Sequence, residues 1–422
     1  MIMTMIRPET EMKDSGVEWI GDIPTNWRRS KLKYLGEYIN GYAFKPSDWS
    51  SKGHQIIRIQ DLTGSNSGEP NYFDGILDEK YRVVNGDILV SWAATLDAFV
   101  WKKEDGWLNQ HIFKAVPNEK IVKGYFLWLL KVAMDNMNND DKHGIVMQHV
   151  TIGLFNNYVV PLAPYTEQQA IADYLDKTCS KIDEIIAEAK ASIDEYKKLK
   201  QSVIFEAVTK GLDKNVEMKE CSVNWLDEIP STWESIRLKY ILTEINNRSE
   251  TGTEQPLSVS QVMGVVPSYM ISVANPTASY VGQKIVESND IVFNKLKAHL
   301  GVFFMSKYHG LVSPDYAVYR TNDKVIPKYL EYLFHTSACI SELKKYISGV
   351  AEGLMRLYTS DLFNIRICLP KVYEQIKIVE YVDNNVGLFD SLITEKESLI
   401  NDLEAYKKSL IYEVVTGKRR VV

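Results

Sequence analysis

The chain is poor in cysteine. Cys179, Cys221, Cys339 and Cys368 are scattered through 422 residues, and none belongs to a C-x-x-C pair. That excludes a zinc ribbon and a dithiol redox motif, and so sparse a set fits reduced thiols in a cytosol. No apolar run approaches the ~18 residues needed to span a bilayer; Phe126–Val132 and Val100–Trp101 are too short. Met1 to Trp19 mixes acids with apolar residues, so no signal peptide is expected. These absences predict a soluble, cytoplasmic protein with no membrane partner. Positive charge is not in excess either: 49 Lys and Arg face 55 Asp and Glu, a net −6. A uniformly basic, histone-like binder is excluded. A DNA binder with local basic surfaces is not, because net charge averages over faces. With 45% hydrophobic and 25% charged residues the chain can build cores, which excludes global disorder.

Catalytic signatures are missing as well. There is no P-loop and no Gly-x-Ser-x-Gly. The nearest strings to the Asn/Asp-Pro-Pro-aromatic turn of adenine methyltransferases are Asn275-Pro276-Thr277-Ala278 and Ser313-Pro314-Asp315-Tyr316, and both lack the second proline. A magnesium nuclease would pair Pro-Asp with a later Glu-x-Lys. Pro314-Asp315 and Glu342-Leu343-Lys344 supply the letters, but Glu342 lies in a helix-like stretch. His143 with His149, and His299 with His309, have no metal-ligand company. The chain is expected to hold no metal, to carry no cofactor and to do no covalent chemistry.

What is there is a duplication. Val17-Glu18-Trp19-Ile20-Gly21-Asp22-Ile23-Pro24-Thr25-Asn26-Trp27, with Leu32-Lys33-Tyr34 after it, returns as Val223-Asn224-Trp225-Leu226-Asp227-Glu228-Ile229-Pro230-Ser231-Thr232-Trp233 with Leu238-Lys239-Tyr240. From Trp19 to Trp225 the shift is 206 residues. Gly86-Asp87-Ile88 answers to Asn289-Asp290-Ile291, Tyr125 to Tyr329, Glu167-Gln168 to Glu374-Gln375, and Ser202–Thr209 to Ser409–Thr416. Trp is rare, so two of them in register with an Ile-Pro between are poorly explained by chance.

Each copy has two parts. The first, about Trp19–Pro161 and Trp225–Pro370, is rich in Val, Ile, Tyr and Phe and broken by turn signals such as Gly64–Gly68 and Asn275-Pro276. Gln55–Gln60, Asp87–Trp92 and Ile291–Asn294 read as strands, and Val122–Met137 and Pro327–Ile347 as helices. That predicts an α+β globule. The second part is a rod opening at Thr166, a good N-cap, with Pro164 just outside. Leu175, Ile182, Ala189, Tyr196 and Val203 recur every seven residues, with Ile185, Ile193 and Leu199 between. Val382, Phe389, Leu392, Leu399, Leu403, Tyr406 and Leu410 carry the stripe in the second copy. About 44 residues give roughly 60 Å of helix, and one apolar face needs a partner. The expected architecture is therefore two α+β domains separated by two long antiparallel helices forming a coiled coil, with an internal pseudo-two-fold repeat. The expected boundaries are 1–18 for an N-terminal lead, 19–163 for the first domain and 164–211 for its rod. A linker and the second domain fill 212–370, and the second rod and tail 371–422. The negative charge sits partly in the rods: 7 basic against 9 acidic in 165–211, and 8 against 9 in 371–422.

In the globules, basic groups lie near amides and aromatics. Candidate DNA contacts are Lys45, Arg58, Gln60, Lys102, Lys103, Asn109, Gln110, His111 and Lys114 in the first copy, and Arg248, Gln261, Lys295, Lys297 and His299 in the second. Arg, Asn and Gln read base edges bidentately, and Lys neutralises phosphate. The framework strings match between copies, whereas Ile56–Pro70 and Gln255–Ala274 share little. One scaffold thus carries two different faces.

Taken together, the two Trp-flanked strings, the Pro-x-x-Glu-Gln at Pro164–Gln168 and the closing Ser202–Gly211 and Ser409–Gly417 segments resemble the specificity subunit (HsdS) of type I restriction-modification systems. The resemblance runs from about Ser15 to Arg420. In the second copy Pro370 precedes Glu374-Gln375 by one residue more. The resemblance implies two target-recognition domains that read the halves of a bipartite, asymmetric site in double-stranded DNA, with paired helices as spacer. It implies docking of two methyltransferase subunits, which bring S-adenosylmethionine and methylate adenine. Two restriction subunits with ATP and Mg would complete the restriction complex. A stand-alone nuclease using Asp315, Glu342 and Lys344, and a coiled-coil adaptor binding only protein, are the rival readings.

Overall fold

The computed structural model describes residues 5–64, 69–140, 150–271, 279–347 and 356–421. His143, His149, the Asn275–Ala278 string and most of the Gly64–Gly68 turn lie outside them. The chain divides into two compact units, Met1–Ala189 with Ser398–Val422, and Lys190–Glu397. Both boundaries fall within long helices, Tyr165–Lys210 and Val372–Val415.

In the first unit an antiparallel sheet runs in the order Asp97–Val100, Ile88–Ser91, Ile112–Pro117, Gly36–Asn40. Ile88–Ser91 is buried throughout because it is an inner strand with side chains alternating between two covered faces. Leu89 joins Ile57, Val83, Trp101, Leu108 and Ile112 in a small core. A second sheet adds Tyr72–Phe73, His54–Ile57, Gly106–Leu108 and Arg82–Val83, its Gly106–Leu108 strand parallel to His54–Ile57. The helix Lys123–Asp140 buries Phe126, Leu129, Leu130, Ala133, Met134 and Met137 at helical spacing, and Tyr125, Trp128 and Val132 widen the covered surface beyond a single stripe.

The second unit repeats the first sheet with the order Leu242–Ile245, Tyr316–Thr321, Ile291–Asn294, Phe303–Met305. Val292 takes the place of Leu89, in a core with Leu257, Val286, Val302, Val312 and Val318. Ile291 and Phe293 point into a larger core with Trp233, Tyr319, Tyr329 and Phe334. In both units a short ladder brings the strand after the second Trp to the strand that leads into a long helix: Arg28–Lys31 with Val159–Leu162, and Glu234–Arg237 with Arg366–Leu369.

Several local expectations are corrected. Gln55–Gln60 is a strand only to Ile57, after which a short helix, Ile59–Thr63, begins. The single helix expected over Pro327–Ile347 is two, Pro327–Phe334 and Ser337–Lys345. Thr336 makes the break: its hydroxyl donates to the Leu333 carbonyl at 2.7 Å and accepts from Cys339 N–H at 3.3 Å. The first long helix starts at Tyr165, one residue before the expected cap. The Pro164 carbonyl, not Thr166, takes the first N–H groups, Glu167 at 2.8 Å and Gln168 at 3.2 Å. Gly211 and Gly417, both at φ +76°, follow the two long helices in the left-handed conformation favoured at helix ends.

The stripe along the helices is also partly rephased. Leu175, Ile182, Ala189, Ile193, Val382 and Leu410 are buried, and Tyr196, Val203, Phe389, Leu392 and Leu403 half-buried. Ile185, Leu199, Leu399 and Tyr406 are exposed. Their places are filled one position along by Ile186, Lys200, Ile400 and Lys407. The two lysines lay their stems along the stripe and reach carboxylates with their heads. In the first unit Lys407 Nζ meets Asp183 at 2.6 Å. In the second, Lys200 Nζ meets Asp390 at 2.6 Å, and the Tyr196 and Phe389 ring centroids stand 6.4 Å apart.

Candidate nucleic-acid interface

The repeated sequence letters are the ones that fasten each globule to its long helix. In the first unit the buried Trp27 indole donates to Glu167 Oε2 at 3.2 Å, and Asn26 Nδ2 donates to Oε1 at 3.0 Å. Gln168, also buried, accepts from Val122 N–H at 2.8 Å and donates to the Ala163 carbonyl at 3.0 Å. The second unit repeats this. Trp233 donates to Glu374 at 3.0 Å, and Gln375 accepts from Ile326 N–H at 2.8 Å while donating to Pro370 and Lys324 carbonyls at 2.9 Å. A third bond pair matches too: Asn118 Nδ2 donates to the Tyr34 carbonyl, and Asn322 Nδ2 to that of Tyr240, each at 2.9 Å. Buried polar groups must find partners, so these residues recur because the frame cannot close without them.

On this frame the first unit brings some of its candidate contacts together. Arg58 opens the Ile59–Thr63 helix, its Nε 3.8 Å from Asp61 and its Nη2 donating to the Glu69 carbonyl at 3.3 Å. Lys103 Nζ donates to the Asp61 carbonyl at 3.3 Å and lies 5.5 Å over the Trp101 ring. Arg58, Gln60 and Lys103 therefore share one neighbourhood, with Lys102 exposed beside them. Asn109, Gln110 and His111 form the turn into Ile112–Pro117. Asn109 Oδ1 accepts from Gln110 N–H at 2.7 Å, and the Gln110 amide lies 3.3 Å from the His111 ring. Gly41 lies so close to the Asn109 carbonyl that a Cβ would stand 2.0 Å from it, which fixes the turn against the sheet. Lys45 is exposed on another loop, its N–H bonded to Asp48 at 2.7 Å. Lys114 Nζ is tied to the Arg82 carbonyl at 2.5 Å.

The second unit presents a different surface. Lys295, Lys297 and His299 lie on one short 3-10 helix, Lys295–Leu300, capped by Asn294 Oδ1 on Leu296 and Lys297 N–H. His299 Nδ1 is buried with no partner among the described residues. Arg248 is exposed, with Nη1 donating to the Gly282 carbonyl at 2.9 Å. Gln261 is exposed on the turn between Leu257–Ser260 and Gly264–Pro267, next to Val262, which is 91% exposed.

Sequence reading missed other charged groups here. Arg320 bonds the buried Asp290 through two nitrogens at 2.8 Å, which raises the guanidinium above its ordinary range. Lys284 is buried, with Nζ donating to the Tyr316 carbonyl at 2.9 Å. Burial, and after it Lys295, pushes its ammonium down. Tyr34 and Tyr240 were also missed. Both are exposed, at 64% and 58%, with Lys33 and Lys239 over their rings at 5.1 and 4.9 Å. Their signal was visible: an exposed Tyr need not recur for packing, yet Leu-Lys-Tyr is repeated. As for the nuclease letters, Asp315 N–H bonds Ser313 Oγ, while Glu342 is taken up by Lys345 at 2.7 Å and Tyr346 at 3.3 Å. Among the described residues no three His, Cys, Asp or Glu side chains gather as a metal site would need, and no helix is long and apolar enough to cross a membrane.

A duplicated α+β frame bearing two unlike polar faces suits a protein that distinguishes two stretches of nucleic acid. The model of the type I restriction modification DNA specificity domain matches residues 24–195 and again 230–404, and the chain belongs to that family. It is 22% identical to the EcoBI specificity subunit of Escherichia coli, across 97% of this chain and 89% of that one. It is 24% identical to the MjaVIII specificity subunit of Methanocaldococcus jannaschii, across 94% of each. Two solved structures share the fold. One, from work on complex assembly and conformational transition of the type I R-M system, has a TM-score of 0.71 at 15% identity and covers 94% of this chain and 99% of its own. The HsdS subunit from Thermoanaerobacter tengcongensis has a TM-score of 0.54 at 16% identity, covering 94% and 98%.

Proposed function

We propose that this chain is the sequence-reading subunit of a type I restriction-modification complex, each face reading one half of a bipartite, asymmetric DNA site. The observation that carries the reading is a contrast. Trp–Glu, Gln–backbone and Asn–backbone bonds are duplicated, while Arg58, Gln60 and Lys103 in one copy have no counterpart to Lys295, Lys297 and His299 in the other. A shared frame keeps two domains alike where they hold, and unlike faces let each prefer different base edges and phosphate positions. Each face would span about three to five base pairs in the major groove.

The long helices act as an antiparallel coiled-coil spacer. Lys200 and Asp390 are the repeat equivalents of Lys407 and Asp183, so the two ion pairs are one contact with the roles of the helices exchanged. Within each unit the same ion pair joins the first long helix to the second, which supports their pairing. Ile185, Leu199, Leu388, Leu399 and Tyr406 remain exposed on the helices and fit docking of two methyltransferase subunits. Those partners bring S-adenosylmethionine, and two restriction subunits bring ATP and Mg. In methylation and cleavage this chain supplies position and no covalent step.

Mapping N6-methyladenine in cells with and without the chain tests the reading. The expected result is loss of one bipartite motif; an unchanged map overturns it. Exchanging residues 20–160 for those of a relative is expected to change one half-site only.

A further inference from the structure

Two thiols of the second unit are placed for a reaction that DNA reading does not use. Cys221 follows the strand Met218–Glu220, and its N–H donates to the Asp227 carbonyl at 3.1 Å. Cys368 lies within the strand Arg366–Leu369, across the ladder from Ser235. They are 147 positions apart in the chain, yet their sulfurs stand 2.9 Å apart. A disulfide spans about 2.05 Å, so the sulfurs need approach by under about 1 Å. Access differs between them: Cys221 is half-buried and Cys368 fully buried. Burial pushes the Cys368 thiol up and Cys221 beside it acts the same way, with Lys219 and Arg366 opposing. A buried thiol held protonated is a poor first nucleophile, which leaves Cys221 as the residue that meets an oxidant first.

We propose that Cys221 and Cys368 form a reversible, peroxide-driven intramolecular disulfide. The Cys221 thiolate attacks one oxygen of hydrogen peroxide, the O–O bond breaks, and the leaving oxygen takes up the thiol proton and departs as water. Cys221 is then a sulfenic acid. Cys368 sulfur attacks the sulfenic sulfur, the S–S bond forms, and the hydroxide that leaves carries off the Cys368 proton as a second water. Two thiols and one peroxide thus give one disulfide and two waters, the sulfurs losing two electrons. A dithiol reductant reverses the step. The bond joins the stretch that follows Gly211 to the strand that ends before Pro370, so it ties down the segment through which the chain enters the second globule. In a reducing cytosol such a bond is transient and reports oxidant exposure.

The test treats the full-length protein with hydrogen peroxide, alkylates remaining thiols under denaturing conditions and reads the mass. The expected result is a mass lower by two hydrogens before alkylation, two alkylated thiols instead of four, and a Cys221–Cys368 cross-linked peptide that dithiothreitol removes. In C368S, dimedone is expected to trap Cys221 as sulfenic acid; in C221S, Cys368 is expected to stay a thiol. Wild-type protein that keeps four thiols, or that gathers oxygen on Cys221 while Cys368 stays free, overturns the proposal. The wild-type reading alone decides it if a variant fails to fold.

Discussion

Asn289 holds in the second unit the left-handed backbone position that Gly86 holds in the first, at φ 72° and 94°. The aspartate after each closes the same turn: Asp290 Oδ2 accepts from Glu287 N–H at 2.9 Å, and Asp87 Oδ2 from Val84 N–H at 3.0 Å. Gly and Asn are the residues that adopt this conformation most readily. Asn289→Gly is expected to leave stability nearly unchanged, whereas Asn289→Val, β-branched, is expected to cost about 1–3 kcal/mol. Urea unfolding of the two variants separates them; equal midpoints would remove the backbone requirement.

Gln168 links three segments of the first unit through two bonds. Gln168→Leu keeps the volume but strands the Val122 N–H and the Ala163 carbonyl in the interior. The expected loss is about 2–4 kcal/mol, from two unpaired buried groups. Gln375→Leu is expected to do the same in the second unit. A variant as stable as the parent in thermal unfolding would show that water enters to replace the amide.

What could be read from the sequence follows from what these residues do. Trp27, Glu167 and Gln168 were visible because a frame bond binds residue types rigidly, and its duplication at Trp233, Glu374 and Gln375 doubles the signal. The strand Ile291–Asn294 was visible as a short buried run. The helical stripe was visible at Leu175, Ile182 and Ala189. It was misphased at Ile185, Leu199, Leu399 and Tyr406, because hydrophobicity does not reveal that Lys200 and Lys407 lay their stems inward. The break at Thr336 was hidden because one hydroxyl bonding the backbone decides it. The reading faces were the least legible: whether Lys114 is tied to Arg82 or free for phosphate depends on how the two strands lie, not on residue type.

His335 carries a pH dependence. Its ring is buried edge-on to Phe304 at 4.8 Å. Burial lowers its pKa below the ordinary 6.5, with Lys328 acting the same way, and Glu331 and the backbone of Phe303 and Gly301 opposing. In the unfolded chain the imidazole takes up a proton as pH falls through 6.5, while the folded state resists. The unfolded state then binds more protons, so stability falls as pH falls. The contribution is complete above the unfolded pKa and is lost as pH drops toward the lower folded one. His335→Gln is expected to flatten the urea midpoint against pH between about 7.5 and 5. A slope unchanged by the substitution would place the titration elsewhere.

Tyr34 and Tyr240 recur, both exposed, without a packing reason, and the proposed docking of a partner at each copy would supply one. Tyr34→Ala and Tyr240→Ala are each expected to weaken docking of one methyltransferase subunit by about tenfold, as for loss of a single aromatic contact. Thermal stability and the methylated motif are expected to stay as they were. Analytical ultracentrifugation with the methyltransferase reads the stoichiometry, and undiminished binding by the double variant would free these rings from the interface.

The spacer reading makes a geometric prediction. Seven residues are two helical turns and preserve a heptad stripe, so a seven-residue insertion after Ala189 matched by one after Glu397 keeps the faces in phase. At ~1.5 Å per residue it lengthens the spacer by roughly 10 Å, about three base pairs at 3.4 Å each. The expected methylation map keeps both half-sites and widens the gap between them by about that much. Inserting in one helix alone breaks the pairing of Lys407 with Asp183 or of Lys200 with Asp390 and is expected to abolish methylation. A wider gap with half-sites intact requires the helices to set the distance. An unchanged gap would mean that the DNA bends to meet the domains wherever they stand, and the helices would then be scaffolding for the partner subunits only.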